Sequence, residues 1–383
     1  MLSEVLMSTP ESPSLLDHLS VVSDPRKRCL HSLSDILTIA ILAVICGADT
    51  WVDIEEWGNA REDWLRGFLR LRHGIPSHDT FGRVFAQLDP EALTQVFITW
   101  TAAVAVTTDQ KVIAIDGKTL RRSFDHAAEK AAIHLVSAWS CANRLVLGQL
   151  ACEEKSNEIT AIPRLLALLD LNDCIVTIDA MGCQTAIAET IVERGGDYLL
   201  ALKENQQNLY LGVQSFFFEA IRDDFEGREV EVFEETEWNR GREESRQVWV
   251  CPVVEGYVEA DKWKNLSQFV AVRSVRETEE GSSEHWRYYI TSRTETGARP
   301  VAQAIRSHWQ IENSLNWVMD VAFREDDSRV RIGFAAENFS RLRQMALNLL
   351  KQEKTAKVGI KIKRNKAGWD LKYLLKVLGI QAH

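Results

Sequence analysis

Three carboxylates, far apart in the chain, are of the type and setting that could do chemistry together. Asp116 closes the apolar run Val112-Ile113-Ala114-Ile115 and is followed by Gly117-Lys118. Asp179 closes Ile175-Val176-Thr177-Ile178 and precedes Ala180-Met181-Gly182. Glu312 lies in a helical pattern, on the stripe His308, Glu312, Asn316, Asp320, beside the apolar stripe Ile311, Leu315, Val318, Ala322. Acids at the ends of two buried strands, with a third on a later helix, suit a site that holds divalent metal for phosphodiester chemistry. Magnesium prefers hard oxygen ligands and leaves room for a substrate phosphate, and manganese is expected to substitute for it. Two such ions can activate an attacking oxygen and stabilise the leaving one. No cysteine pairs with a histidine at zinc spacing, so soft-metal sites are not indicated.

Each acid has a plainer explanation when taken alone. Asp116-Gly117 is a common turn pair, and Asp179 could equally close a turn. Glu312 could be a capping or salt-bridged residue, with Arg306 as partner, and Asp320 and Glu325 remain rivals for the third ligand. Basic and amide residues supply the second half of the pattern. Lys118, Arg121 and Arg122 follow Asp116, while Lys203 and Asn205 crowd a strand-to-helix turn. Arg306 and His308 precede Glu312 by about two turns and one turn of helix. These seven are the candidate DNA-contacting set, since cations and amides position a duplex through its phosphates. The alternative is surface charge on ordinary turns.

The elements that must position these residues are legible from periodicity. Residues 1–29 read as a flexible segment ending in the basic cluster Arg26-Lys27-Arg28. Residues 30–107 read as a small helical domain: a buried helix from Ser34, helical patterning over Trp51–Leu71, and a helix capped by Ser77 or Asp79. At Lys111 the pattern turns to strands, over Val112–Ile115, His134–Trp139 and Leu145–Leu150. Helix, strand, helix, strand and helix follow up to Ile221. Three strands and then α-β-α-β is the order of a ribonuclease H-like α/β fold with a mixed sheet, expected over residues 108–350. Residues 228–293 break the alternation as a β-rich insertion before the helix of Glu312, and residues 351–383 read as a lysine-rich tail.

Composition bounds the answer further. A chain of 383 residues, 45% hydrophobic and 26% charged, is long enough for a large core with appendages. A net charge of −10 weighs against a general nucleic-acid coat but leaves local basic patches free to act. Seven scattered cysteines without a Cys-x-x-Cys spacing point away from a disulfide framework and toward a reducing cytoplasm. The run Ile36–Ile45 is too short to span a bilayer, so no membrane association is expected.

Four motifs in order carry a family resemblance. They are Ala114-Ile-Asp-Gly-Lys-Thr-Leu-Arg-Arg-Ser, Ile178-Asp-Ala-Met-Gly-Cys-Gln, Tyr198-Leu-Leu-Ala-Leu-Lys-Glu-Asn-Gln and His308-Trp-Gln-Ile-Glu-Asn. They resemble the DDE transposases of bacterial insertion sequences, within them the ISAs-type, H-repeat-associated group. Asp24-Pro-Arg and Gly74-Ile-Pro-Ser-His-Asp-Thr-Phe-Gly-Arg-Val-Phe resemble that group's N-terminal region. The resemblance implies a ribonuclease H-like core, magnesium dependence, and Asp116, Asp179 and Glu312 as the metal-binding triad. It implies cleavage at the element's ends and attack by the freed 3′-hydroxyl on target DNA, with no ATP site. The partners would be double-stranded DNA, at terminal inverted repeats and target, and a second copy of the chain, in a bacterial cytoplasm at the nucleoid. The chain departs from the pattern in having Asn316 before Trp317 where the group often has histidine. His308 and Met319 also stand where a wider signature has arginine and lysine. Two other classes stay open: a nuclease that hydrolyses without joining, and an inactive DNA-binding remnant at repeat ends.

Overall fold

A computed structural model describes residues 14–105, 111–124, 131–152, 158–239, 241–254, 257, 259–279, 281–294 and 297–380. It is a mixed α/β molecule built on one nine-stranded sheet, ordered β3-β2-β1-β4-β5-β9-β8-β7-β6. Strands β1 (Lys111–Thr119), β2 (His134–Ser140) and β3 (Leu145–Cys152) form an antiparallel meander. Then β4 (Cys174–Ile178) and β5 (Asp197–Leu202) continue it in parallel with β1. A parallel strand buried on both faces needs a continuous apolar run, and all five residues of β4 are buried.

The register of the parallel pair sets the site. Ile115 on β1 lies opposite Ile178 on β4, so the next residue on each strand, Asp116 and Asp179, emerges side by side. The β-rich segment of the sequence is not a separate sheet. Its strands β6 (Glu231–Asn239), β7 (Arg242–Pro252), β8 (Gln268–Thr278) and β9 (Gly281–Thr291) extend the same sheet, with β9 antiparallel to β5.

The helices before the sheet are α1 (Leu15–Leu19), α2 (Leu33–Ile45), α3 (Trp51–Ala60), α4 (Glu62–Leu65), α5 (His78–Gln87) and α6 (Pro90–Val104). The helical run expected over Trp51–Leu71 is therefore two helices. Helix α1 falls in the stretch read as flexible: Ser14 and Asp17 form a reciprocal capping box, and Leu15 and Leu19 are buried. Within and after the sheet come α7 (Glu158–Ala167), α8 (Thr185–Glu193), α9 (Gln207–Arg222), α10 (Ala298–Ile311) and α11 (Trp317–Phe323). The last three are α12 (Ala335–Gln352), α13 (Ile360–Trp369) and α14 (Leu371–Val377). The stretch read as a lysine-rich tail thus contains two helices.

Helix α12 joins the N-terminal helices to the sheet. Arg341, fully buried, donates to Pro90 O at the start of α6 (3.1 Å) and to Gln149 O on β3 (2.9 Å). Asn348 bonds both Val146 N (3.0 Å) and Val146 O (2.9 Å), and Asn338 donates to Phe85 O and Leu88 O, each at 2.9 Å. Side-chain amides here do what a backbone partner would do for buried peptide groups. One apolar cluster accordingly runs from Leu15 through α2 and α12 to Val377, and a second lies between the sheet and α7, α8 and α9.

Candidate active site

Helix α10 packs across β1 and β4, which brings its C-terminal end over the two aspartates. Two polar contacts fix it: the Thr177 hydroxyl meets His308 Nδ1 at 3.0 Å, and the Cys141 thiol donates to Ser307 O at 3.3 Å. Ile311 and Leu315, both about 1% exposed, anchor the next turn. Between those anchors the backbone makes a π-helical turn, Glu312–Asn316, a widening often found where a helix serves a functional site.

Asp116, Asp179 and Glu312 all line one cavity of about 310 Å³, with Thr177, Lys203, Arg287, Tyr289, His308 and Trp309 among its other walls. Asn316 Nδ2 donates to Asp116 Oδ2 at 2.8 Å and to Glu312 Oε2 at 3.1 Å, so both carboxylates reach one nitrogen. Asp179 caps the short turn Ala180–Gly182 by accepting from Met181 N (3.1 Å) and Gly182 N (3.4 Å). Both bonds use Oδ1, so Oδ2 is not engaged by the cap. Burial pushes the Asp116 carboxyl up to about 7, and the nearby Asp179 and Glu312 charges push the same way; the Gly117 amide and Asn316 oppose them. Burial lowers His308 below its ordinary value, against a smaller opposing pull from Asp179, which favours a neutral imidazole.

Gly117 is required for a reason the sequence did not suggest. A Cβ there would collide with Glu158 and His134, which are themselves paired and buried against β1. The two rival acids are placed elsewhere. Asp320 and Glu325 both bind the Lys118 ammonium, Glu325 at 3.0 Å, and Glu325 also accepts from Ser340 Oγ at 2.6 Å. Neither lines the cavity.

The basic candidates divide into two groups. Lys203 lines the cavity and is exposed, with its ammonium in no ion pair among the described residues. Asn205 donates to Ala180 O at 2.6 Å, tying the turn after β5 to the turn after β4. Lys118, Arg121 and Arg122 instead face the acidic turn after α11, with Arg121–Asp326 at 3.3 Å and Arg122–Asp327 at 3.4 Å. Arg306 pairs with Glu235 (3.0 Å) and Glu237 (2.6 Å) on β6. It lines a larger depression of about 910 Å³ between α10 and strands β6–β9, which shares Arg287, Tyr289, Ile305 and Trp309 with the acidic cavity.

Sequence reasoning did not single out Asn316, Thr177, Arg287 or Tyr289 for this site. Asn316 had a signal, its spacing of four residues from Glu312. Arg287 and Tyr289 had none, because they arrive through the pairing of β9 with β5.

Among the described residues no group of three or more His, Cys, Asp or Glu side chains is arranged to hold a metal ion as it stands. The donor set still fits a hard divalent cation. Three carboxylates face one cavity, burial and then the neighbouring Asp179 and Glu312 charges disfavour ionisation of Asp116, and an amide N–H donor stands between two of them where positive charge is wanted. No helix among the described residues is long and apolar enough to cross a membrane.

Residues 16–101 match the model described as DDE_Tnp_1-associated. The chain is 44% identical to YncI of Escherichia coli O157:H7, named as a candidate transposase, over 95% of this chain and 94% of that one. It is 42% identical to YhhI of Escherichia coli K12, an H repeat-associated candidate transposase, over 96% of this chain and 98% of that one. A piggyBac transposase synaptic complex with hairpin DNA aligns over 98% of this chain and 80% of that chain. At a TM-score of 0.43 and 8% identity, that likeness is too distant to argue from. Residues 107–349, which hold all three acids of the cavity, match the transposase DDE domain, and the chain belongs to that family.

Proposed function

We propose that this chain is a DNA transposase that cuts and joins DNA at the terminal inverted repeats of an insertion sequence, with Asp116, Asp179 and Glu312 as ligands for magnesium. The convergence of these three carboxylates on one cavity carries the reading. In it, β1 to β5 with their helices form a ribonuclease H-like core, a view supported by the antiparallel meander followed by two parallel strands. Divalent ions held by the acids would supply activation of the attacking oxygen and charge stabilisation of the leaving one, and manganese would serve in place of magnesium.

The chain's own residues do the positioning. Thr177 orients His308, the Met181 and Gly182 amides hold Asp179, and the exposed Lys203 takes a phosphate at the rim. Lys118, Arg121, Arg122 and Arg306 reach DNA by exchanging their carboxylate partners for phosphates, and Asn205 braces the floor of the site. The freed 3′-hydroxyl attacks target DNA, and the energy of the exchanged phosphodiester makes a nucleotide cofactor unnecessary. The protein works as a homodimer on DNA, with end recognition by residues 30–107, in the bacterial cytoplasm.

Asp116→Asn tests this. It keeps the volume and withdraws one hard ligand, so cleavage of a labelled element end should fall by more than ~100-fold, since even supporting residues around a metal cost about 10- to 100-fold. Gel-shift binding to the same end should persist. Near wild-type cleavage would refute the mechanism. Wild-type cleavage without joined product would indicate a nuclease, and metal-independent end binding without cleavage would indicate an inactive remnant.

A further inference from the structure

We infer that Asn316 is the positioning residue of the acid site, a neutral donor that holds Asp116 and Glu312 convergent until a divalent cation takes over that role. This rests on the reading of the acids as metal ligands. One nitrogen, Asn316 Nδ2, donates to Asp116 Oδ2 at 2.8 Å and to Glu312 Oε2 at 3.1 Å. A primary amide has two N–H donors, so it can satisfy two carboxylates at once without bringing a competing positive charge.

The backbone makes the contact possible. Asn316 ends the π-helical turn that begins at Glu312, and the turn is clamped by buried Ile311 before it and by buried Leu315 and Met319 around and after it. The Glu312 carboxylate is on an exposed residue and would otherwise be free to swing into solvent. Asp116, in contrast, is half-buried on β1, so the bridge ties an exposed carboxylate to one held by the sheet. The two carboxyl groups have no donor of their own to offer each other when ionised, and the shared Asn316 amide supplies one to both. The Asn313 side chain, next to Glu312 in the chain, donates to Trp309 O at 3.2 Å and, among the described residues, has no hydrogen bond to either acid.

The experiment is Mn²⁺ titration calorimetry and thermal unfolding of the full chain without DNA, for wild type, Asn316→Ala, Asn316→Asp, Asn313→Ala and Asp116→Asn. Asn316→Ala should bind Mn²⁺ about ten-fold more weakly, as expected for loss of an orienting partner, while Asn313→Ala binds as wild type does. Asn316→Asp adds a charge where the amide stood. Its metal-free form should melt below wild type, and saturating Mn²⁺ should raise its midpoint by more than it raises the wild-type midpoint. A purely structural role would lower the midpoint with and without metal alike. Wild-type Mn²⁺ affinity in Asn316→Ala, or no extra rescue of Asn316→Asp, would overturn the assignment of Asn316 while leaving the acids as ligands. Absence of Mn²⁺ binding by wild type, or equal binding by Asp116→Asn, would overturn the acid-site reading and this inference with it.

Discussion

At the scale of single residues, a charge's role depended on which opposite charge the fold placed beside it. Lys118, Arg121 and Arg122 closely follow Asp116 in sequence, yet their nearest partners are Asp320, Glu325, Asp326 and Asp327, some two hundred residues away. Lys363 and Arg364 belong to the most basic stretch of the chain, yet both are buried. Arg364 donates to Val44 O (2.9 Å), Ala48 O (3.1 Å) and Asp49 Oδ1 (3.0 Å). Glu353 shows the stability side of the same effect. Burial alone would raise its carboxyl, but donors from Thr355, Tyr373 and the Thr355 and Ala356 amides outweigh this and hold it at about 2. A folded value below the unfolded one means the stabilisation is complete above the unfolded value near 4.5 and is lost as pH falls through the folded one. Glu353→Gln should therefore cost about 2 kcal/mol at pH 7. The gap to wild type should close steadily below about pH 5 in denaturant titrations. A gap that does not change with pH would mean the carboxylate's charge is not what these donors hold.

At the scale of elements, strand pairing decided what the β-rich segment is for. Its alternating runs were readable as strands, but nothing in them marked β9 as the partner of β5. That pairing closes the parallel edge of the sheet and delivers Arg287 and Tyr289 to the acidic cavity. Removing residues 228–293 would expose the β5 edge, an invitation to intermolecular pairing. The excised protein should elute as aggregate in size-exclusion chromatography and lose a single cooperative unfolding transition. A soluble variant with a sharp transition would mean the segment is an independent module.

At the scale of the whole molecule, the N-terminal helices and the C-terminal ones share a core. Helix α2 is buried at every position but Ser34, and it packs against α12, which also reaches β3 through Arg341 and Asn348. Each large apolar side chain stripped from such a face costs about 1.5–3 kcal/mol. A fragment beginning at residue 108 should consequently bind a hydrophobic dye strongly and precipitate, and a soluble, dye-silent fragment would contradict this account. The proposed recognition of element ends by residues 30–107 is better tested on the intact chain: charge reversal at the exposed Arg83 of α5 should weaken gel-shift binding to an element end.

The sequence by itself determined the local facts: apolar runs that must be buried strands, an acid at the end of each of two of them, and an amphipathic helix carrying Glu312. These follow from side-chain periodicity and short-range backbone chemistry, which neighbours along the chain fully specify. Only the tertiary structure decided that Asp116 and Asp179 are adjacent, because that depends on Ile115 lying opposite Ile178 across 63 residues of chain. Only it chose Glu312 over Asp320 and Glu325 as the acid facing the cavity, because a π-helical turn and the pull of Lys118 set where each carboxylate points. Only it turned a basic tail into two helices packed against the core. Long-range pairing and burial are properties of contacts, and contacts between distant residues leave no local trace in the order of the amino acids.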